Sequence, residues 1–501
     1  MIWLLAVLGL INNTLAMNEK KDFWLQDGKD GIQSIWQTKP NFKKADNLIL
    51  MIGDGMGLST ITAGRIYQGQ KKGKSGEENK LAFEQFPYLA LSKTYNVDHQ
   101  VPDSAGTAVA MMTGVKINMA TLGVGIDVPF ASECKSVTDK SKLKGALHYA
   151  LEEGKSVGIV TTTRVTHATP AAAFAHIPHR DWECVTPRGN GSCELVKDIA
   201  FQLIMDYPNI NVILGGGRQY FTNSSTADPV MSSMPGLRND GLDLIRAWKT
   251  EKMERKVQHN YVYTRQQLNA LDASSIDYLL GLFAPSHMTY EADRLPSSGK
   301  IDHGHHENGA KKALEELLEF DNAVAKVTEL TSEDDTLTIV TADHSHVFAI
   351  SGYPTRGNNI LGLVDNMDAI ESPLDNMPFL TLGYLNGPFT NRTNLTGVDT
   401  TASSFRQPGC IKMNLETHAG EDVVIYARGP MAHLFQGTRE QSYIGHVMMY
   451  SACLGIYKDN CDMPKRNMML EPMSMHCSAV IPRSTLWTLL GLVVVVVNQL
   501  S

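Results

Sequence analysis

Apolar residues in this chain come in short, nearly unbroken runs rather than in alternation with polar ones. Residues 47–52 (NLILMI), 156–161 (SVGIVT), 211–214 (NVIL), 336–341 (TLTIVT) and 423–427 (VVIYA) each read as a strand covered on both faces. The stretches between them carry a helical period. The clearest is 311–330, where Leu314, Leu317, Leu318, Val324 and Val327 form one stripe. Strands alternating with helices predict an α/β fold, a three-layer sandwich with a central, mainly parallel sheet flanked by helices. Residues 353–411, rich in Gly, Asn, Pro and Thr, read as a small insertion outside that sheet. In open sheets of this kind ligands gather at the carboxyl ends of the strands.

The two ends of the chain have a different character. Ile2 to Ile11 is apolar, too short to span a bilayer, and is followed by Asn12, Asn13, Thr14 and the small Ala16. This predicts a secretory signal over residues 1–16, the alternative being a buried strand. Leu486 to Val497 is apolar again, with no basic stop after it. Small residues at Cys477, Ser478 and Ala479 precede a spacer containing Arg483. The pattern is that of a GPI-attachment signal, with Ser478 as the attachment residue and 479–501 as a removed propeptide. A tail-type membrane helix and an aberrant terminus remain the alternatives. The expected mature domain is 17–478, held on the extracellular face of the cell membrane.

Composition agrees with export. Sequons at Asn190, Asn223, Asn391 and Asn394 lie in polar, turn-rich stretches, where glycosylation requires them. Among seven cysteines, Cys453 and Cys461 are spaced to close a short loop and Cys134 and Cys193 a longer one, leaving Cys184, Cys410 and Cys477 unassigned. A formal charge of −8 offers no case for nucleic acid as a partner.

Five segments carry chemistry. Gly53-Asp54-Gly55-Met56-Gly57 presents an acid at the mouth of the first strand. Val101-Pro102-Asp103-Ser104-Ala105-Gly106-Thr107 puts a serine at a helix start, near N–H donors suited to phosphate; the competing reading is a plain helix cap. Asp302-His303-Gly304-His305-His306 spaces Asp302 and His306 four apart, on one helical face, able to grip one metal. Asp343-His344-Ser345-His346 follows the strand TLTIVT, and Glu416-Thr417-His418 adds a further imidazole. Carboxylate with imidazole suits zinc. A two-metal site with a serine facing it is the equipment of an in-line phosphoryl displacement.

The segments VPDSAGTA, TTTRVTHATPA, KIDHGHHE, TADHSHVF and ETHAGEDV, in this order, resemble the metazoan alkaline phosphatase family over about residues 24–457. The resemblance implies a homodimer with a small "crown" insertion matching 353–411, and hydrolysis of phosphate monoesters. It assigns Ser104 as the nucleophile that becomes phosphoserine and Arg180 as the phosphate-binding residue. It implies one Zn²⁺ on Asp302, His306 and His418, a second on Asp54, Asp343 and His344, and one Mg²⁺ on Asp54 and Thr169. His167, His303 and His346 are implied to tune metal or phosphate binding.

One segment departs from the family. There, a helix and a buried strand ending in Glu-Gly lead into the Asp-His-Gly-His-His segment, and that Glu is a magnesium ligand. Here the position holds Ser297, and a unit of roughly 25 residues, the scale of a βα piece, is missing. Ala284 stands where vertebrate members place an acidic calcium ligand. A central strand with about five buried apolar side chains, at roughly 1.5–3 kcal/mol each, is worth on the order of 10 kcal/mol. That rivals the net stability of a domain, about 5–15 kcal/mol. The departure leaves two other expectations open: a weakly active or inactive surface-binding member of the family, and a related phosphodiesterase or sulfatase.

Overall fold

A computed structural model describes residues 19–131, 136–184, 196–290, 300–366, 372–461 and 492–496. Its strands, in chain order, begin with β1 (Asn47–Ile52), β2 (Tyr88–Lys93), β3 (Val157–Arg164), β4 (Val212–Gly216) and β5 (His259–Val262). β6 (Tyr278–Leu282), β7 (Thr336–Thr341), β8 (Ser345–His346), β9 (Phe348–Ile350) and β10 (Leu382–Gly387) follow. β11 (Gly409–Lys412), β12 (His418–Ala419), β13 (Val423–Arg428), β14 (Thr438–Glu440) and β15 (Leu492–Val496) complete the set.

The central sheet runs β14-β2-β13-β7-β1-β15-β3-β4-β6-β5. Only β13 is antiparallel to its neighbours β2 and β7. The expected three-layer α/β fold is present, and the apolar runs explain it. In β1, Leu48, Leu50 and Ile52 pack into one core with Val109 and Met112 of the helix Ser104–Thr113. Ile49 and Met51 point the other way, onto Leu317, Phe320 and Val324 of the helix Ala310–Leu330. Alternate residues of one strand therefore serve two cores, so the run must be apolar throughout. Residues 353–411 lie outside the central sheet; β9, β10 and β11 form a separate three-stranded sheet.

Among the described residues no strand lies between β6 and the helix Ile301–His306. The position in the sheet between β1 and β3 is taken by β15. Val494 lies opposite Leu50 on one side and Ile159 on the other, parallel to both. Without a strand there, β1 and β3 would each turn a row of N–H and C=O groups toward a gap in the protein interior.

Several sequence expectations fall outside the described residues: the signal 1–16, Cys134 with Cys193, Asn190, Ser297 and Ser478. Cys453 and Cys461 form a disulfide with Cα atoms 5.3 Å apart, while Cys184 and Cys410 are free thiols. Asn391 and Asn394 are exposed and Asn223 half-buried. Among the described residues no helix is long and apolar enough to cross a membrane.

Candidate metal centre

The chemistry gathers at the carboxyl ends of β1, β3 and β7. Asp54 leaves β1 through a turn held by Gly53 N–H on the Thr341 carbonyl (2.9 Å). Gly55 has φ +74° and donates its N–H to Asp343 Oδ1 at 2.9 Å. A Cβ on Gly55 would stand 2.5 Å from His346 Nε2 and 3.0 Å from the Asp302 backbone, so only glycine fits. Gly55→Ala is expected to cost at least about 1–3 kcal/mol in backbone strain. It should also push His346 and Asp302 apart, seen as a lower melting temperature together with reduced zinc content of the purified protein.

Ser104 is not the helix cap. Asp103 is: its carboxylate accepts N–H bonds from Ala105 (3.2 Å) and Gly106 (3.1 Å). The serine, buried as the first helical residue, keeps its hydroxyl for another partner, His344 Nε2 at 3.1 Å. Asp103 also binds Arg180 Nη1 at 2.8 Å, which aims the guanidinium beside the serine. Burial would raise the Asp103 pKa, but Arg180 and the N–H donors outweigh it and hold the carboxylate below its ordinary range.

The carboxylates divide their oxygens between two sides. Asp302 Oδ1 meets the Nε2 atoms of His346 (2.9 Å), His418 (3.2 Å) and His306 (3.3 Å). Asp302 Oδ2 meets the ammonium of Lys300 at 2.9 Å. Asp54 Oδ1 faces His344 Nε2 (3.7 Å), whereas Asp54 Oδ2 binds Lys300 Nζ (2.7 Å) and accepts the Thr169 hydroxyl (3.1 Å). Asp343 Oδ2 lies 3.3 Å from His344 Nε2. Burial, and then the like charge of Asp54, pushes the Asp343 pKa well above the usual value.

The imidazoles are oriented from behind. His306 Nδ1 donates to the Glu416 carbonyl (2.5 Å), His418 Nδ1 to the Pro102 carbonyl (2.8 Å) and His344 Nδ1 to the Ser345 carbonyl (3.2 Å). With the proton held on Nδ1, each Nε2 lone pair points inward, the arrangement of a metal ligand. His346 differs, because it lies between two carboxylates, Glu416 Oε2 at 2.5 Å and Asp302 Oδ1 at 2.9 Å. Burial lowers its pKa, but Glu416 and Asp302 outweigh that and raise it to about 10. In this arrangement both of its ring nitrogens face carboxylates.

Two donor sets fit a divalent cation. Asp54, Asp343 and His344 form one, and Asp54 Oδ1 and Asp343 Oδ2 are buried without any hydrogen-bond partner. Unpaired buried carboxylate oxygens beside an inward imidazole call for a cation. The other gathers on Asp302, with His344, His346 and His418, and His306 Nε2 also lies 3.3 Å from Asp302 Oδ1. The expected magnesium donors Asp54 and Thr169 do meet, but the oxygen they share is already bonded to Lys300. Among the described residues, the metal-ligating side chains grouped beyond are nitrogen donors: His167, His287 and His303 lie with ring centroids 4.7 to 5.9 Å apart. Magnesium prefers a near-octahedral oxygen shell, so this set does not fit it. His167 Nε2 is 3.5 Å from Arg180 Nη2, and His303 Nε2 is 3.9 Å from Asp302 Oδ2.

Four contributors were not singled out from the sequence. Lys300, Glu416 and Asp103 stand inside recognised motifs, so their position was a usable signal. His287, in Ser286-His287-Met288, carries no local pattern and joins the cluster only through the fold.

The family profile described as alkaline phosphatase matches residues 45–298 and 295–454, dividing where β6 gives way to Lys300. The tissue-nonspecific alkaline phosphatase isozyme of Gallus gallus is 43% identical over 500 residues, covering 91% of this chain and 94% of the relative. An alkaline phosphatase of Gadus morhua is 42% identical over 469 residues, covering 86% and 96%. Among solved structures, Thermus thermophilus alkaline phosphatase superposes with a TM-score of 0.56 at 23% identity, covering 83% of this chain and 93% of the other. The alkaline phosphatase of the Antarctic bacterium TAB5 gives 0.54 at 22%, covering 83% and 99%. These two likenesses bear on the fold.

Proposed function

From the premise that the chain belongs to the alkaline phosphatase family, we propose that it hydrolyses phosphate monoesters through a phosphoserine at Ser104, beside two zinc ions. The observation that carries this reading is the Ser104 hydroxyl, free of capping duty and set beside His344 of the Asp54, Asp343 and His344 donor set. Asp54, Asp343 and His344 would hold one zinc, and Asp302, His306 and His418 the other. Bound there, zinc supplies Lewis acidity toward phosphoryl oxygens and lowers the pKa of a coordinated hydroxyl or water.

The chain's own residues do the rest. Arg180, steadied by Asp103, offers a planar pair of donors to two phosphoryl oxygens. Ser104 Oγ forms the new P–O bond as the ester bond breaks, and the serine proton leaves with the alcohol. Water then attacks the same phosphorus from the vacated side, releasing phosphate and restoring the hydroxyl. Helix N–H groups behind Ser104 favour the doubly charged phosphoryl group throughout. Because contacts are to the phosphoryl group, substrates should be accepted across many leaving alcohols. Hydrolysis of p-nitrophenyl phosphate at alkaline pH is expected to vanish with a chelator and return with Zn²⁺. Folded protein without zinc-dependent turnover would refute this function.

The same reading places the protein as a glycosylated homodimer on the extracellular face of the cell membrane, with a GPI anchor at Ser478 belonging to a form in which Leu492–Val496 no longer pairs with β1 and β3. Supporting the dimer, the helix Lys21–Gln37 buries none of its residues and leaves Trp24, Ile32, Ile35 and Trp36 56–78% exposed, a surface suited to a second copy. Deleting residues 19–37 is expected to yield monomers by sedimentation, where the full chain yields dimers. Supporting export are the Cys453–Cys461 disulfide and the exposed sequons. Phosphatidylinositol-specific phospholipase should release that anchored form from cells.

A further inference from the structure

We propose that Lys300 supplies, from the chain itself, the third positive charge of this centre, so that the enzyme turns over with two zinc ions and no magnesium. The inference rests on the two-zinc reading above. Lys300 is 1% exposed, yet its ammonium reaches Asp54 Oδ2 at 2.7 Å and Asp302 Oδ2 at 2.9 Å. One carboxylate belongs to each proposed zinc set, so a single ammonium ties the two sets together. With the Thr169 hydroxyl also on Asp54 Oδ2, that oxygen already has two donors. A magnesium ion sharing it would crowd a fixed ammonium, and the neighbouring side chains His167, His287 and His303 offer nitrogen where magnesium wants oxygen. Lys300 is thus a positioning residue. By satisfying both Oδ2 atoms it leaves Asp54 Oδ1 and Asp302 Oδ1 turned toward His344 and toward His306 and His418.

The test uses the full chain, loaded with Zn²⁺ and Mg²⁺, dialysed and assayed for metal by mass spectrometry. Two zinc ions and no stoichiometric magnesium are expected, with turnover indifferent to added Mg²⁺. Lys300→Met should lower turnover in zinc alone about 10–100-fold, the usual scale for a group supporting metal ligands. Lys300→Arg, which keeps the positive charge, should retain the wild-type turnover in zinc alone and the wild-type indifference to Mg²⁺, and an Arg variant as impaired as Lys300→Met overturns the proposal. One magnesium per wild-type chain, or a several-fold rise in wild-type turnover on adding Mg²⁺, overturns the proposal. So does a Lys300→Met protein indistinguishable from wild type. Should that variant not fold, the wild-type metal content and magnesium response decide alone. Fewer than two zinc ions with no zinc-dependent turnover is a distinct outcome: it refutes the two-zinc reading and the inference with it.

Discussion

Ser104→Ala is expected to reduce phosphate monoester hydrolysis by roughly three to six orders of magnitude, the scale seen when a hydrolase loses its nucleophile. The size follows from how the serine is held. Asp103 takes the capping bonds, so the hydroxyl of Ser104 has no structural duty at the helix terminus. Its removal should therefore leave the fold intact, and the melting temperature should move little. The carboxylates and imidazoles are anchored independently, by Lys300, Glu416 and backbone carbonyls, so zinc content should also persist. Acid quenching during turnover should trap a phosphoryl group on the Ser104 peptide of the wild type and on no peptide of the variant. A variant keeping more than about a tenth of the turnover would remove Ser104 from the role of nucleophile.

Deleting residues 479–501 is expected to have the largest effect on stability. The segment contains β15, paired at three positions with β1 and at five with β3. Each buried N–H or C=O left without a partner costs about 1–3 kcal/mol. Several such groups amount to on the order of 10 kcal/mol, within the whole net stability of a domain. The truncated chain should lose its cooperative thermal transition and become open to proteolysis near β1 and β3. Val494→Pro makes the same test in the full-length chain, since proline cannot donate within a central strand. Anchor attachment at Ser478 would remove this strand, so attachment and insertion into the sheet exclude one another in a single molecule. A truncated chain that melts like the full one would mean that β1 and β3 are joined without β15, and would favour the anchored form.

Much of the architecture was legible because burial on both faces writes itself into consecutive apolar residues. β1 and β7 match their predicted runs, and β13 extends its run by Arg428. The short strand β14 escaped notice because its three residues are polar or charged. The place of Leu492–Val496 could not be read locally. An apolar pentad is as fit for a bilayer as for a sheet, and only the open position between β1 and β3 distinguishes them.

The sequence by itself pointed to the family, the α/β class and the proposed zinc donors, because those donors sit in short contiguous motifs whose spacing is legible along the chain. Tertiary structure alone decided which oxygen of each carboxylate faces which partner. Asp54 and Asp302 are 248 residues apart in the sequence. That one buried ammonium serves both is a fact about distances between strands, to which no local pattern corresponds. The same holds for His287, brought beside His167 and His303 by the packing of the loops that follow β3 and β6.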